Sequence, residues 1–519
     1  MGWLEIFVAF GILGVVYTFL QYRKDRAFRK FALDNGCEDP YTDISFLWGI
    51  DRFYQMYMVA RSGGDLIDDI VVPRFREAGK RSRIGTGLFG KKTLSTIEPR
   101  NVQTVMATKF KDYEIGERRH GSFRPLLGNN IFTSDGPFWE HSRALLRPQF
   151  ARENINDLGS EEYNVQALFK TLPTDAHGWT DEVDLLQRFY RLTLDGATEF
   201  FFNDNVNSQL TAAGMAPTSK ATDAVSEEAS GSEFTEQFTL AQDWIGYRFR
   251  MQGLYWLADG REFRASCKYV KNFVEAAVNR VLSSGKNHKT KSGYSLLDSL
   301  SRDCRDVTEL RDQCLGMLIA GRDSTAALLG WLFTMFIVHP WVFQKLRTVI
   351  LQEFDASDPE EITFAQLKSC RYLQYVINET MRLHAIVPMN GRVAIRDTVL
   401  PLGGGPDERS PVAVRKGQMV MFSPYVMHRH TEIWGEDALE FKPERWEGRK
   451  TDWSFLPFSG GPRICIGQQY ALCEASYVVV RMLQQYDRIE SVVPNPKIEN
   501  GLLLTMFPKN GVKVRLHKA

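Results

Sequence analysis

The sequence has no surplus of charge of either sign: 64 lysines and arginines stand against 63 aspartates and glutamates, a formal +1 over 519 residues. A chain so balanced lacks the basic footprint that nucleic acid requires, and no nucleic-acid partner is expected. Paired cysteines are missing too. The seven present, Cys37, Cys267, Cys304, Cys314, Cys370, Cys465 and Cys473, are odd in number and scattered, which excludes a disulfide framework and suits a reducing compartment. A zinc site from Cys465, Cys473, His428 and His430 is conceivable but lacks any CxxC or HxxxH knuckle spacing. No Gly-rich dinucleotide fingerprint follows a strand, so electrons for any reduction must come from another protein. No internal repeat is found.

Apolar bulk, by contrast, is plentiful, and 44% hydrophobic against 24% charged residues is enough for one large buried core. One apolar run stands apart. WLEIFVAFGILGVVYTFL, residues 3 to 20, holds a single charge, Glu5, and is followed by Arg23, Lys24, Arg26, Arg29 and Lys30. That length can span a bilayer, and the basic cluster lies on the wrong side for a cleaved signal. Residues 1–22 are therefore expected to be an uncleaved anchor, with the basic cluster and all that follows in the cytosol; the alternative is a buried core helix.

Residues 23–75 form a basic and aromatic lead-in to one large domain, 76–519. SRIGTGLFGKKTLSTI, residues 82 to 97, predicts two short strands around a turn. Helical periodicity dominates afterwards, with strand signals near 392 to 422 and in the last twenty residues, so the fold class is mainly α with a minor β part. Residues 203–233, poor in large apolar groups, are expected to be a mobile surface insertion. A long helix from Asp306 to His339 is capped by the Asp306/Glu309 pair and stopped by Pro340. It is apolar all round except for Gly321, Arg322, Asp323, Ser324 and Thr325 in its middle. Arg and Asp at mid-depth argue against a second membrane span and for a functional cluster in a protein core. In RYLQYVINETMRLH, Glu379 and Arg382 share one helical face and can pair.

FSGGPRICIG, residues 458 to 467, sets Phe458, Gly461, Arg463, Cys465 and Gly467 at the spacing FxxGxRxCxG. Chance supplies such a match in a chain of this length on the order of once in ten thousand. With the ExxR helix upstream, it resembles the cysteine-ligand loop of the cytochrome P450 superfamily, the haem-thiolate monooxygenases. The resemblance implies that Cys465 ligates the iron of haem b and that Phe458 packs beside it. A thiolate ligand pushes electron density onto the iron and favours O–O cleavage, while Gly461 and Gly467 let backbone approach porphyrin and sulfur. It further implies that Arg143 with Trp139, Arg392 and Arg463 meet the two haem propionates, where arginine forks match carboxylates. Glu379, Arg382 and the Arg445 of FKPERW then form a buried structural cluster whose disruption costs several kcal/mol.

By the same resemblance, AGRDST, residues 320 to 325, is the oxygen-activating stretch of the long helix. Gly321 permits a local distortion there, and Asp323 with Ser324 and Thr325 relays protons. Serine follows the acid here where threonine is commoner, which keeps the hydroxyl but loses the methyl that restricts its rotation. LLGNNIFTSDGPFWEHSRALLRPQF, AQDWIGYRFRMQGLYWLADGREFRASCKYVKNFV and ICIGQQYALCEASYVVVRMLQQY are most similar to fungal microsomal enzymes that oxidise n-alkanes and fatty acids near the chain end. By position Phe132 overhangs the haem, Ala320, Val387, Met389 and Leu504 line the substrate pocket, and Phe238 lies on the access helix. The implied partners are NADPH-cytochrome P450 reductase, O2, a lipophilic substrate and the endoplasmic reticulum membrane, with the catalytic domain on its cytosolic face. A monooxygenase of bulkier secondary metabolites, or a non-oxidising haem protein or isomerase, are the competing readings.

Overall fold

The computed structural model describes residues 3–43, 45, 47–156, 158–215, 231–283, 295–354 and 361–519. The N-terminal run forms helix α1, Trp3–Asp34, which continues twelve residues past the expected boundary at residue 22. Phe10, Ile12, Leu13, Val15, Val16, Tyr17, Phe19 and Leu20 along it are all exposed. Its second half rests on the catalytic domain: Arg415 pairs with Asp25, and the Arg415 guanidinium lies 4.5 Å over the Phe28 ring. Among the described residues no single helix is long and apolar enough to cross a membrane.

The architecture is mainly helical with minor sheet. In chain order the helices that position the site are α2 (Glu117–Leu127), α3 (Gly136–Leu146), α4 (Gly159–Lys170), α5 (Leu185–Phe202), α6 (Ser208–Ala212), α7 (Gly231–Arg250) and α8 (Arg261–Ser283). They are followed by α9 (Val307–Val338), α10 (Arg371–Leu383) and α11 (Gln468–Gln485). α9 crosses the centre and begins and ends where its sequence predicts. The Asp306 carboxylate accepts the Glu309 N–H at 2.7 Å, satisfying one of the first-turn donors, and Pro340 cannot continue the ladder. Buried residues occur on every side of it, as its all-round apolar character requires.

Six strands form the principal sheet: β1 (Tyr41–Thr42), β2 (Ser82–Thr86), β3 (Lys92–Thr96), β4 (Tyr113–Glu114), β5 (Asn390–Ala394) and β6 (Met419–Phe422), in the order β1-β2-β3-β6-β5-β4. β2 and β3 are the antiparallel pair expected over 82 to 97, with Ile84 opposite Leu94. The register of β5 on β6 pairs Arg392 with Val420. The apolar core falls into two bodies, one under the sheet and around α10 and α11, the other between α2, α7, α8 and the first half of α9.

The segment expected to be a mobile insertion at 203–233 differs over its described part. Asn205, Asn207, Ser208, Gln209 and Leu210 are buried, and the N–H groups of Ser208 and Gln209 donate to the Asp195 carboxylate of α5 at 2.7 and 3.0 Å. Polarity misled there, because the asparagines and Ser208 spend their polar groups on internal hydrogen bonds. Residues 216–230 lie outside the described residues, and α7 starts at Gly231.

Candidate functional site

The loop before α11 is built by backbone constraint. Gly461 has φ 66°, and a Cβ there would lie 2.0 Å from the Met106 carbonyl oxygen, so only glycine fits. The Cys465 N–H donates to the Phe458 carbonyl at 2.9 Å and closes the loop. Of the seven cysteines, Cys465 alone is exposed. Although the residue is exposed, the protein crowding its sulfur pushes the thiol up, while the Gly467 N–H and the Arg143 guanidinium pull the other way by favouring the thiolate. The four candidate zinc residues do not assemble: the His428 ring accepts a hydrogen bond from the Leu456 N–H, Cys473 is buried, and among the described residues no three potential ligands form a metal-sized group.

Around this loop stands a collar of arginines. Arg143 of α3 donates to the Ile464 carbonyl at 2.9 Å. Arg463 donates to Asp135 Oδ1 at 2.6 Å and lies 4.3 Å over the buried Trp139 ring. Arg392, 4% exposed, donates to Asn390 Oδ1 and the Gly391 carbonyl at 3.0 and 2.8 Å. Arg119 of α2 joins them through Asn390 at 3.4 Å, and its absence from the sequence reading is easily explained: nothing in ERRHGSFR distinguishes it from a surface arginine. The Nε atoms of Arg119 and Arg392 are buried without partners, and Asp135 is the carboxylate these arginines share. Burial and mutual repulsion push Arg392 down to about 9 and Arg463 to about 10. Buried donors left over beside crowded cations need an anion of more than one charge. A porphyrin carrying two propionates would fit that donor set, with Cys465 as the residue able to ligate its iron.

Behind the loop, Glu379 and Arg382 are fully buried and pair face to face, Nε to Oε2 at 2.9 Å and Nη2 to Oε1 at 2.8 Å. Arg445 adds a 3.3 Å contact to Glu379 Oε1 and holds Asp437 at 2.6 Å. The Trp446 indole and the Lys442 N–H complete the carboxylate's shell at 3.0 and 2.9 Å. Arg382 Nη1 also donates to the His428 carbonyl at 2.8 Å, while the His428 Nε2 accepts the Leu456 N–H at 2.9 Å. His428 thus ties the ion cluster to the segment leading into the cysteine loop. The sequence offers it only as a candidate zinc ligand, because half of this role is played by backbone.

The middle of α9 departs from expectation in three ways. The helix runs unbroken through 320–325, and Gly321 serves packing instead, its Cβ position lying 3.5 Å from Phe201 and 3.6 Å from Ala197 of α5. The Ser324 hydroxyl donates back to the Ala320 carbonyl at 2.6 Å. Thr325 is buried against the Glu474 carboxyl of α11, so it does not stand with Asp323. Asp323 itself accepts from Gln242 Nε2 of α7 at 2.6 Å, and burial raises its carboxyl against the opposing pull of Arg322 and Gln242.

Of the expected pocket residues, Val387 is exposed and Phe132, Ala320, Met389 and Leu504 keep partial exposure. Phe238 does not: it is fully buried, stacked 5.6 Å from Phe234 and 5.5 Å under the Arg322 guanidinium, so it is a packing residue of α7.

Comparison with known proteins agrees with this geometry. The family model described as Cytochrome P450 matches residues 75–514. The chain is 44% identical over 490 residues to Cytochrome P450 monooxygenase g430 of a Fusarium species, covering 92% of this chain and 84% of that one. It is 43% identical over 450 residues to Cytochrome P450 52A1 of Candida tropicalis, covering 84% and 80%. In fold it is similar to the crystal structure of the cytochrome P450DA heme domain, with TM-score 0.73 at 20% identity, over 93% of this chain and 98% of that one.

Proposed function

The chain belongs to the cytochrome P450 family and is a monooxygenase of it, and we propose that it inserts one oxygen atom of O2 into a C–H bond of a fatty acid or n-alkane, at or near the chain end. Cys465 would ligate the haem iron, and Arg143, Arg392, Arg463, Arg119 and Trp139 would hold its propionates. When bound, haem supplies the oxygen activation that side chains lack. Phe132, Ala320, Val387, Met389 and Leu504 would orient the apolar chain and keep water out. Asp323 would hand on the protons, with Ser324 beside it on the same turn. The observation that carries this reading is Cys465: one accessible thiol on a loop that only glycine can form, beside buried arginine donors that still lack an acceptor.

Electrons would come from NADPH through a membrane-bound flavoprotein reductase docking on the cysteine side. Exposed Arg147, Arg152 and Lys368 support that docking, the last two lining a cavity of about 410 Å³ with Gln469, four residues beyond the ligand. The exposed apolar half of α1, followed by five basic residues, supports attachment to the endoplasmic reticulum membrane with this face in the cytosol. The test is turnover of a lipid panel by the purified protein with reductase and NADPH, product positions being read by mass spectrometry. Terminal or near-terminal alcohols are expected. Oxidation of bulky secondary metabolites with no lipid product would refute the substrate class, and absence of any NADPH-dependent product would refute the activity.

A further inference from the structure

The Asp323 carboxylate is held from the neighbouring helix. Gln242 on α7, 4% exposed, donates from Nε2 to Asp323 Oδ2 at 2.6 Å and accepts at Oε1 from Arg322 Nη1 at 2.7 Å. Arg322 Nη2 donates to Thr239 Oγ1, also on α7, at 3.0 Å, and Nη1 lies 3.5 Å from Asp323 Oδ1. The Tyr190 ring of α5 and the Phe238 ring of α7 flank the guanidinium at 5.2 and 5.5 Å. One amide therefore spans a cation and an acid that are neighbours in the chain. Its orientation is dictated by them, since a flipped amide would set N–H against guanidinium and oxygen against carboxylate. Gln242 and Arg322 are both buried, so losing the amide leaves charged groups short of a partner.

We propose that Gln242 is a positioning residue for proton delivery, a clasp through which the seating of α7 controls when Asp323 can act. The proposal rests on the reading of Asp323 as the proton donor. The acid and the guanidinium ride on α9, whereas Gln242 and Thr239 ride on α7, so moving α7 by the length of a hydrogen bond releases both at once. α7 is also in contact with the expected pocket, the Cβ position of Gly246 lying 3.2 Å from Leu503 beside Leu504. A bound chain that shifts α7 thereby frees or re-engages the acid. The charged and titratable groups facing Asp323 are Arg322 on its own helix, Asp243 on α7 and Tyr190 on α5. Burial opposes ionisation of Asp323 most strongly, Arg322 and then the Gln242 N–H favour it, and Asp243 opposes it, so the Gln242 bond is the uncharged contribution that α7 can make or withdraw.

Two variants of the full haem-loaded chain test this. Gln242→Leu removes both bonds, while Gln242→Glu keeps the acceptor for Arg322 and can donate to Asp323 only when the introduced carboxyl is protonated. The Asp323 carbonyl stretch is isolated by infrared difference against Asp323→Asn, independently of turnover. In Gln242→Leu its titration midpoint is expected to rise by about one pH unit, as loss of a hydrogen bond to an ionised carboxylate requires. Product formed per NADPH is expected to fall about tenfold in Gln242→Leu, and in Gln242→Glu to recover as the pH is lowered, against a flat wild-type profile. Should Gln242→Leu fail to fold, Gln242→Glu, in which Arg322 stays satisfied, carries the test. An unmoved midpoint, or Gln242 variants with wild-type yield beside a lowered yield in Asp323→Asn, overturns the clasp alone. Unchanged yield in Asp323→Asn overturns the role of Asp323 and the clasp with it.

Discussion

Replacing Glu379 by glutamine changes few atoms and should be among the costliest substitutions in the molecule. The carboxylate accepts five N–H groups: two from Arg382, one each from Arg445 and the Trp446 indole, and the Lys442 backbone. An amide offers one accepting oxygen and turns its NH2 toward donors that cannot receive it. Arg382 is then a fully buried cation without a counter-charge, whereas Arg445 keeps Asp437. Breaking a buried pair at one member costs about 3–5 kcal/mol, against a folding stability of about 5–15 kcal/mol. The loss should reach the cysteine loop first, because Arg382 holds the His428 carbonyl and the His428 ring holds the Leu456 N–H. Urea titration of haem-loaded Glu379→Gln, followed by Soret absorption and far-ultraviolet dichroism, should show the Soret transition at lower urea than the dichroic one. The control is Asp437→Asn, whose carboxyl is 32% exposed, and there the two transitions should coincide with a loss of about 1 kcal/mol or less. Coincident transitions in Glu379→Gln within about 1 kcal/mol of wild type would refute the coupling of the ion cluster to the loop.

Three further outcomes follow from single sites. Gly461→Ala must adopt φ 66° with a side chain, costing about 1–2 kcal/mol before any clash with Met106. The carbon monoxide complex of the reduced protein should then lose its strongly red-shifted Soret band while far-ultraviolet dichroism is retained, and a full band would refute the close approach. Burial first, then Glu161, holds the Glu474 carboxyl well above the usual range, and burial does the same to Glu161. The folded chain keeps protons that the unfolded chain has released once the pH exceeds about 4.3, so stability falls from there toward neutrality. Glu474→Gln should therefore raise the thermal midpoint more at pH 8 than at pH 5; equal gains would contradict the shift. Charge reversal of Arg152 and Lys368 should slow reduction by the flavoprotein about tenfold at low salt and less at high salt, with the carbon monoxide band intact. A salt-independent, unchanged rate would remove this face as the docking site.

What could be read ahead of the fold was whatever the chain settles within a few residues. The Asp306 cap and Pro340 delimit α9 locally, the 82–97 hairpin is set by its own turn, and the Gly461-to-Cys465 loop is constrained by its own glycine. Residues whose work lies across the chain stayed hidden. Arg119 enters the arginine collar through Asn390, some 270 residues away, and the register of β5 on β6 that brings Arg392 there is a tertiary fact. His428 acts through its carbonyl on one side and its ring on the other, and the carbonyl leaves no trace in residue type.

The helix period separates the three residues of the expected relay. Three adjacent residues on an α-helix point about 100° apart, so a run such as Asp323, Ser324 and Thr325 cannot act as one cluster toward one target. The structure sends them to three destinations: Asp323 to Gln242 on α7, Ser324 back along α9 to Ala320, and Thr325 to Glu474 on α11. Of the two hydroxyls, only that of Ser324 lies on the turn whose carbonyl, Ala320, belongs to the expected pocket. On the proposed reading it is the Ser324 hydroxyl that would meet a proton from Asp323, by releasing a hydrogen bond that closes no turn of the ladder. Ser324→Ala should lower product per NADPH, whereas Thr325→Val, which keeps shape and removes only the hydroxyl facing Glu474, should leave it unchanged; the reverse pattern would return the relay to Thr325 and undo this assignment.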